Sequence, residues 1–375
     1  MISKQSIPLF QYRGIPVGLD YTWFIIFILV VTSLGGFFFP EHYPDVPVLL
    51  RWVYSLIAAF LFFSSILLHE MAHAVVAQKW GVQIIRIVLF IFGGVAQMAK
   101  EPENAKSEFQ IAVAGPVMSA LIGGIMLFIA WSMEPLMDEG LHGVVWYIGY
   151  INIILVIFNM VPGFPLDGGR ILRALIWHRT GNLRKATRVV SNIGTGFAFF
   201  LIFMGVLGIL GGIFIAGLFW IFIGMFLYQS AKSGYQMVAL REGLSRIPVR
   251  NVMTQNPQTI PKDINLNSLV NDYFFKGRYS SFPVVEGEKL VGMVEINDVK
   301  RVPQDRWDTT RVEEIMSPWE DVKTITPDMD TFEVLMHMID DETGRLPVVA
   351  NGKIEGIISR KDIMNFVQLR EELQG

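Results

Sequence analysis

The residues of this sequence best suited to chemistry are His69, Glu70 and His73, which form an HExxH motif. On an α-helix, residues four apart lie on one face, so the two imidazoles can bind one metal ion while Glu70 stands beside them. This spacing is the ligand geometry of a zinc hydrolase. The chain has no cysteine, so any metal site in it must use His, Asp or Glu.

The motif lies inside an apolar run, residues 53–78, that is typical of a membrane-spanning helix. Ionisable groups in hydrocarbon are costly, and three of them within five residues require a compensating partner. A bound cation would be such a partner. Because only six histidines occur in the 375 residues and two of them are here, a chance match to the motif is the less favoured interpretation.

The composition divides the chain into two parts. Residues 1–231 hold 13 Lys and Arg and 11 Asp and Glu, whereas the other residues hold 18 and 23. The chain as a whole is 52% hydrophobic and 17% charged, against roughly 25% charged in an average soluble domain. This predicts a membrane domain followed by a soluble part. The soluble part carries a net charge of 18 − 23 = −5, which argues against a nucleic-acid partner.

Six apolar runs, each near the roughly 20 residues that cross a bilayer, predict six transmembrane helices. They lie at about residues 21–39, 53–78, 109–132, 143–161, 190–210 and 213–230. Lys and Arg concentrate in alternate connections, which predicts that both termini are cytoplasmic. On this orientation the HExxH motif lies within the cytoplasmic half of the bilayer.

Two segments of the membrane domain favour β-structure. Residues 6–19 predict a short hairpin or strand at the membrane edge. Residues 81–98 are rich in β-branched and aromatic residues and contain Gly93-Gly94, which predicts a strand or hairpin beside the site. Two interpretations of this second segment stay open: a free edge to which an extended substrate adds as a strand, or a surface hairpin without a substrate role.

A third metal ligand is expected, because a catalytic zinc takes three protein ligands and keeps one open position. Of the carboxylates in residues 1–231, only those of Glu70 and Asp167 lie in plainly apolar surroundings. Prolines and glycines around Asp167 predict a turn with this residue at its apex. Asp167 is therefore the predicted third ligand, the alternative being an aspartate that only accepts hydrogen bonds in an Asp-Gly turn. By contrast, Gly115, Ser119 and Gly123, spaced four apart, predict close helix packing rather than chemistry.

Together these features closely resemble the site-2 protease family of intramembrane zinc metalloproteases. The resemblance covers residues 1–231 and is carried by four motifs: His69-Glu70-Met71-Ala72-His73, Phe92-Gly93-Gly94, Gly115-Pro116 and Asn159…Pro162…Pro165-Leu166-Asp167-Gly168-Gly169-Arg170. It implies one zinc ion on His69, His73 and Asp167, with Glu70 as general base. Asn159 is a candidate for positioning substrate or stabilising an oxyanion, and the alternative is an asparagine that only satisfies local backbone at a helix end.

The soluble part contains an internal repeat of about 64 residues. Phe282-Pro283-Val284-Val285 recurs as Leu346-Pro347-Val348-Val349, and the flanking segments recur with it. The pattern resembles a tandem pair of CBS domains, at about residues 247–305 and 311–370, after a linker at 232–246.

CBS domains often bind adenine nucleotides, and the resemblance assigns that role here to Gly356, Ser359 and Asp362 in the second copy. In the first copy Glu295 replaces the hydroxyl residue, and a carboxylate would repel phosphate. The resemblance thus implies at most one good site for ATP or AMP. The alternative is a purely structural pair, or one that forms a homodimer.

The predicted fold class is a multi-pass α-helical membrane protein, with six transmembrane helices and a membrane-associated β-hairpin, followed by a soluble α+β tandem CBS module (residues 247–375). The predicted function is cleavage of transmembrane segments of membrane proteins by a zinc endopeptidase of the plasma membrane. The alternative function is a CBS-regulated transporter or channel that uses the His, Glu and Asp cluster as an ion or proton site. A pseudoenzyme scaffold is less favoured, because nothing in the motif is degraded.

Overall fold

The computed structural model of the chain describes residues 6–277, 279–287, 289–341, 343–350 and 353–374. It divides into two compact units, Met1–Val238 and Ala239–Gly375. The outermost ends of the predicted domains, residues 1–5 and 375, lie outside the described residues. The two units are described in turn.

The helices of the first unit confirm the predicted number of membrane spans. Within the described residues, six helical segments are long and apolar enough to cross a membrane. The helices are α1 (Thr22–Ser33), α2 (Phe39–His42), α3 (Val48–Lys79), α4 (Ala105–Met133), α5 (Glu139–Asn159), α6 (Asp167–Thr180), α7 (Leu183–Leu210) and α8 (Phe214–Leu244). A π-helical segment, Leu34–Phe38, joins α1 to α2 into one span.

Local sequence signals explain where the two central helices begin and end. Helix α3 starts after Pro47 and is followed by Gly81, whose φ of 74° is the left-handed conformation that commonly ends a helix. Helix α4 starts at Asn104, whose side chain accepts a hydrogen bond from the backbone N–H of Ser107 at 2.9 Å. These two boundaries place the HExxH motif well inside α3 and Gly115 well inside α4.

Helix α8 begins in the first unit, runs past Val238 and is longer than its apolar run. The segment predicted as a linker, residues 232–246, is helical through Leu244. Its residues are mostly good helix formers, and residues 214–247 contain no proline. The polar stretch therefore continues the helix instead of ending it.

A four-stranded sheet accompanies the helices and confirms both predicted β-segments. Its strands run in the order β1 (Ile7–Tyr12), β2 (Ile15–Leu19), β3 (Ile84–Phe90) and β4 (Gly93–Met98). The β1–β2 and β3–β4 pairs are antiparallel, and β2 pairs with β3 in parallel. Ile15, Val17 and Ile87 pack against Ala74 of α3. The sheet thus lies on the helix that carries the HExxH motif, with β4 at its edge.

The second unit contains the predicted repeat. The first copy comprises β5 (Thr254–Gln255), β6 (Ile260–Pro261), α9 (Leu266–Ser268), α10 (Phe275–Gly277), β7 (Ser281–Glu286), β8 (Lys289–Glu295) and α11 (Ile296–Lys300). The second comprises α12 (Val312–Ile315), β9 (Ser317–Pro318), α13 (Thr331–Asp340), β10 (Arg345–Ala350), β11 (Lys353–Ser359) and α14 (Arg360–Gln374).

The two copies exchange their first segments. Strand β5 of the first copy pairs with β11 of the second, and β9 of the second pairs with β8 of the first. The cores follow the same exchange, since Val249 is buried among residues of the second copy and Val312 among residues of the first. Each copy therefore completes the core of the other.

Candidate metal centre

Three potential ligands from distant parts of the first unit meet at one point. The Nε2 atoms of His69 and His73, one turn apart on α3, are 3.2 Å from each other. Asp167 Oδ2 lies 3.2 Å from Nε2 of His69 and 3.3 Å from Nε2 of His73. All three residues are buried, with 4%, 3% and 8% of their surfaces exposed. Ligand atoms about 2.0 to 2.2 Å from a tetrahedral zinc are roughly 3.4 Å apart, so this donor set fits the ion.

The structure places Asp167 differently from the predicted turn. Asp167 is the first residue of α6, and the turn is formed by the preceding residues 160–166. Pro162 and Pro165 have no backbone N–H and do not belong to a helix interior, which is consistent with α6 beginning only after them. A carboxylate in the first turn also interacts favourably with the partial positive charge of a helix N-terminus. The prediction of an apex position was thus wrong, whereas the structure places Asp167 beside the two histidines, and its role as third ligand stays a prediction.

Helix α4 holds both imidazoles in orientation. The Nδ1 atom of His69 is 2.9 Å from Ser119 Oγ, and Nδ1 of His73 is 2.6 Å from the carbonyl oxygen of Ile111. A carbonyl only accepts hydrogen bonds, so His73 donates from Nδ1 and keeps the lone pair of Nε2 for the centre. Such partners fix the tautomer and the ring direction of a metal ligand. Sequence reasoning assigned Ser119 to helix packing and missed this contact.

Gly115 is the residue of α4 that faces the centre directly. A Cβ atom at this position would lie 2.2 Å from Nε2 of His73 and 2.5 Å from Nε2 of His69. Any side chain here would therefore occupy the space in front of both ligand atoms. The absence of a side chain at Gly115 leaves the room that an ion needs, a role that its interpretation as a packing residue did not include.

Glu70 lines the same cavity as the three ligands, beside the edge of the sheet. The cavity has a volume of about 800 Å³, and Asn159, Arg170 and most of β4 also line it. A Cβ atom on Gly94 of β4 would lie 2.5 Å from Glu70 Cγ, so the strand passes against the glutamate side chain. Asn159 is half-buried at the end of α5. The structure thus brings His69, Glu70, His73, Asn159 and Asp167 to one cavity.

The residues predicted to bind nucleotide lie together in the second copy of the repeat. Gly356 is in β11, Ser359 ends that strand, and Asp362 is in the first turn of α14. The backbone N–H and the hydroxyl of Ser359 donate to Asp362 Oδ2 at 2.9 and 2.6 Å. Asp298 accepts a similar bond from Glu295 N at 2.9 Å in the first copy. Both aspartates therefore cap a helix.

Comparison with known proteins finds two families along this chain. The model of peptidase family M50 matches residues 57–135 and 129–204, and the model of the CBS domain matches residues 249–305 and 312–369.

Two relatives are similar over nearly their whole length. A zinc metalloprotease of Methanocaldococcus jannaschii is 32% identical over 374 residues, which cover 98% of this chain and 99% of that protein. A provisionally named zinc metalloprotease of Synechocystis sp. is 33% identical over 361 residues, covering 95% and 93%. Among solved structures, a site-2 protease from M. jannaschii is 31% identical, with a TM-score of 0.44. The match covers 62% of this chain and 95% of the chain in that structure.

Proposed function

The chain belongs to the site-2 protease family, peptidase family M50, and from this premise we propose that His69, His73 and Asp167 hold its catalytic zinc and that Glu70 is its general base. Members of this family are intramembrane zinc metalloproteases, and this protein is therefore one that acts on membrane proteins. One observation carries the assignment of residues: Asp167 Oδ2 lies within 3.3 Å of both Nε2 atoms although it is 98 residues from His69.

The chemistry divides between the ion and the protein. A bound zinc ion acts as a Lewis acid that activates water and polarises the carbonyl under attack. The Glu70 carboxylate accepts the proton of the attacking water and passes it to the leaving amine. Asn159, at the end of α5, offers amide donors to the substrate or to the oxygen on which negative charge develops.

The sheet edge is the proposed substrate platform. Strand β4 is the last strand of the sheet, and residues 93–96 line the cavity that also holds Glu70. An extended peptide that pairs with β4 would satisfy its own backbone groups and pass beside Glu70, because Gly94 contacts that side chain. A transmembrane helix must unwind before it can bind in this way, since its carbonyls are otherwise engaged in helical hydrogen bonds. Substrates with helix-breaking residues near the cleavage point are therefore favoured.

The decisive experiment combines metal analysis with proteolysis. Purified full-length protein should contain one zinc ion and cleave a transmembrane substrate, and a chelator should stop cleavage. Glu70→Gln should keep the zinc and lose the cleavage, whereas Glu139→Gln, at an exposed position, should change neither. Full activity of Glu70→Gln would remove this residue from the mechanism.

The CBS pair is the proposed regulatory part, with an adenine nucleotide as its ligand. The proposed site is Gly356, Ser359 and Asp362 in the second copy, because the first copy has Glu295 at the hydroxyl position. Titration of the full-length protein with ATP and AMP tests this, with Asp362→Asn as the variant and Asp298→Asn, its counterpart in the first copy, as the control. Loss of binding only in Asp362→Asn supports the site. No binding by the parent protein favours the alternative role in homodimerisation, which a mass measurement in detergent checks.

We also propose that both termini are cytoplasmic and that the host membrane is the plasma membrane. The orientation rests on the excess of Lys and Arg in alternate connections. Because the chain has no native cysteine, a single cysteine placed at either terminus can be labelled without background. Labelling of an inserted cysteine from outside intact cells would contradict this orientation.

A further inference from the structure

A buried ion pair outside the metal centre joins helices α4 and α6. Arg173 is 4% exposed and Glu108 is 1% exposed, although both are charged. Arg173 donates from Nε to Glu108 Oε1 at 2.6 Å, and its Nη2 contacts the same oxygen. The proposed chemistry uses neither residue.

The guanidinium of Arg173 also contacts the segment that leads into Asp167. Its carbon lies 5.5 Å from the centre of the Phe164 ring, a distance typical of a cation–π contact. Phe164 in turn donates from its backbone N–H to the carbonyl oxygen of Val190 in α7 at 3.1 Å. A second carboxylate, Glu101, lies 3.9 Å from Nη1 of Arg173. One side chain thus links α4, the segment before α6 and the connection before α4.

Both partners of the pair lie close, along their helices, to groups that build the metal centre. Arg173 follows Asp167 by six residues on α6, which is about 9 Å along the helix axis. Glu108 precedes Ile111, whose carbonyl orients His73, by three residues on α4, which is about 4.5 Å. Because α4 and α6 are rigid over such short distances, their separation at the ion pair also sets the separation of Asp167 from the Ile111 carbonyl that orients His73.

A simple brace between two helices does not need charges. Burying an ion pair carries a desolvation cost for each ion, and apolar residues of similar volume often give equal or better stability. What this arginine adds is geometry, because Nε and Nη2 of one planar group both contact Glu108 Oε1 and so fix the position of that oxygen from two directions. We propose that Arg173 and Glu108 are positioning residues that set the distance between Asp167 and the two histidines. This inference rests on the proposed zinc centre.

The test separates positioning from stability by replacing the pair with apolar side chains. Zinc affinity of the full-length protein in detergent is measured by competition with a chelator, and thermal unfolding of the metal-free protein is followed in parallel. The double variant Glu108→Met with Arg173→Met should unfold at the parent's temperature or above, yet bind zinc about 10- to 100-fold more weakly. Arg173→Lys, which keeps the charge and loses the fork, should also weaken zinc binding. The control Arg179→Lys, at an exposed position of the same helix, should match the parent.

The coordination geometry provides a second readout. The visible absorption spectrum of the cobalt-substituted protein should differ from that of the parent in both pair variants and not in the control. A folded double variant with parental zinc affinity and spectrum would show that the pair is only a brace and would overturn the inference. If the double variant does not fold, parental affinity of Arg173→Lys overturns it equally. Failure of the zinc centre itself is distinguishable, because then the parent would bind no zinc, or His73→Ala would bind it as well as the parent.

Discussion

Replacing Gly115 with alanine should remove zinc from the protein while leaving its fold in place. The added methyl group would lie 2.2 Å from His73 Nε2 and 2.5 Å from His69 Nε2, where a normal contact is about 3.4 Å or more. Relief of the overlap therefore requires a displacement of roughly 1 Å. Metal–ligand distances tolerate only about 0.2 Å, so both imidazoles lose their place in the coordination sphere.

The expected magnitudes separate metal binding from stability. Zinc affinity should fall by at least about 100-fold, the upper effect of losing a single outer partner of a ligand. The cost of one extra methyl group in a packed interior is about 1 to 3 kcal/mol of unfolding free energy. The variant should therefore be recovered folded and metal-free.

The matched control is Gly124→Ala on the same helix, where an added Cβ meets nothing within 4 Å. Zinc content after dialysis, chelator competition and cleavage of a transmembrane substrate are measured on both variants. The control should behave as the parent in all three. A Gly115→Ala protein that keeps one zinc ion at parental affinity would refute the placement of the ion between α3, α4 and α6.

Three further predictions follow from contacts elsewhere in the molecule. Ser119→Ala should weaken zinc binding by about 10- to 100-fold, measured by chelator competition, because His69 loses its orienting partner. Ser64→Ala, which removes a hydroxyl that bonds to Phe60 O within α3, should leave zinc binding unchanged. Gly94→Ala should lower kcat by about 100-fold with zinc retained, because the added methyl group displaces Glu70 by about 1 Å. Gly196→Ala, whose added Cβ meets nothing within 4 Å, should leave kcat unchanged. Equal kcat values in the two variants would contradict the contact between Gly94 and Glu70. Leu266→Ala, at a fully buried position of the first CBS copy, should lower the unfolding free energy of the CBS pair by about 2 to 5 kcal/mol in a denaturant titration. Leu369→Ala, at an exposed position, should change it by less than about 0.5 kcal/mol.

The features that could be predicted from sequence are those set by local periodicity. The one-turn spacing of His69 and His73 already implies a shared helix face, and the length of each apolar run implies a span. Asp167 could be selected as the third ligand because few carboxylates lie among apolar residues. Its position as the first residue of α6 could not be predicted, since the start of α6 depends on how the preceding segment packs against α7.

The missed features depend on contacts between residues far apart in sequence. Glu108 follows polar residues at the start of α4 and looks like a solvated helix end, yet it is 1% exposed because Arg173 covers it from 65 residues away. Gly115 and Ser119 carry the spacing of a packing motif, and only the position of α3 shows that they lie against His69 and His73. Helix α8 illustrates the opposite case. Residues 232–244 have good helix propensity, but the prediction of a linker gave more weight to their polarity, and the structure shows that they are helical.

Because β5 and β9 are exchanged between the two CBS copies, neither copy has a complete sheet without the other. A chain truncated after the first copy would leave β8 without its outer neighbour and β5 without the strand that receives it. Both would present unpaired backbone edges, which are templates for intermolecular association. A premature stop between the copies should therefore yield an aggregating product instead of a protease with half of its CBS pair.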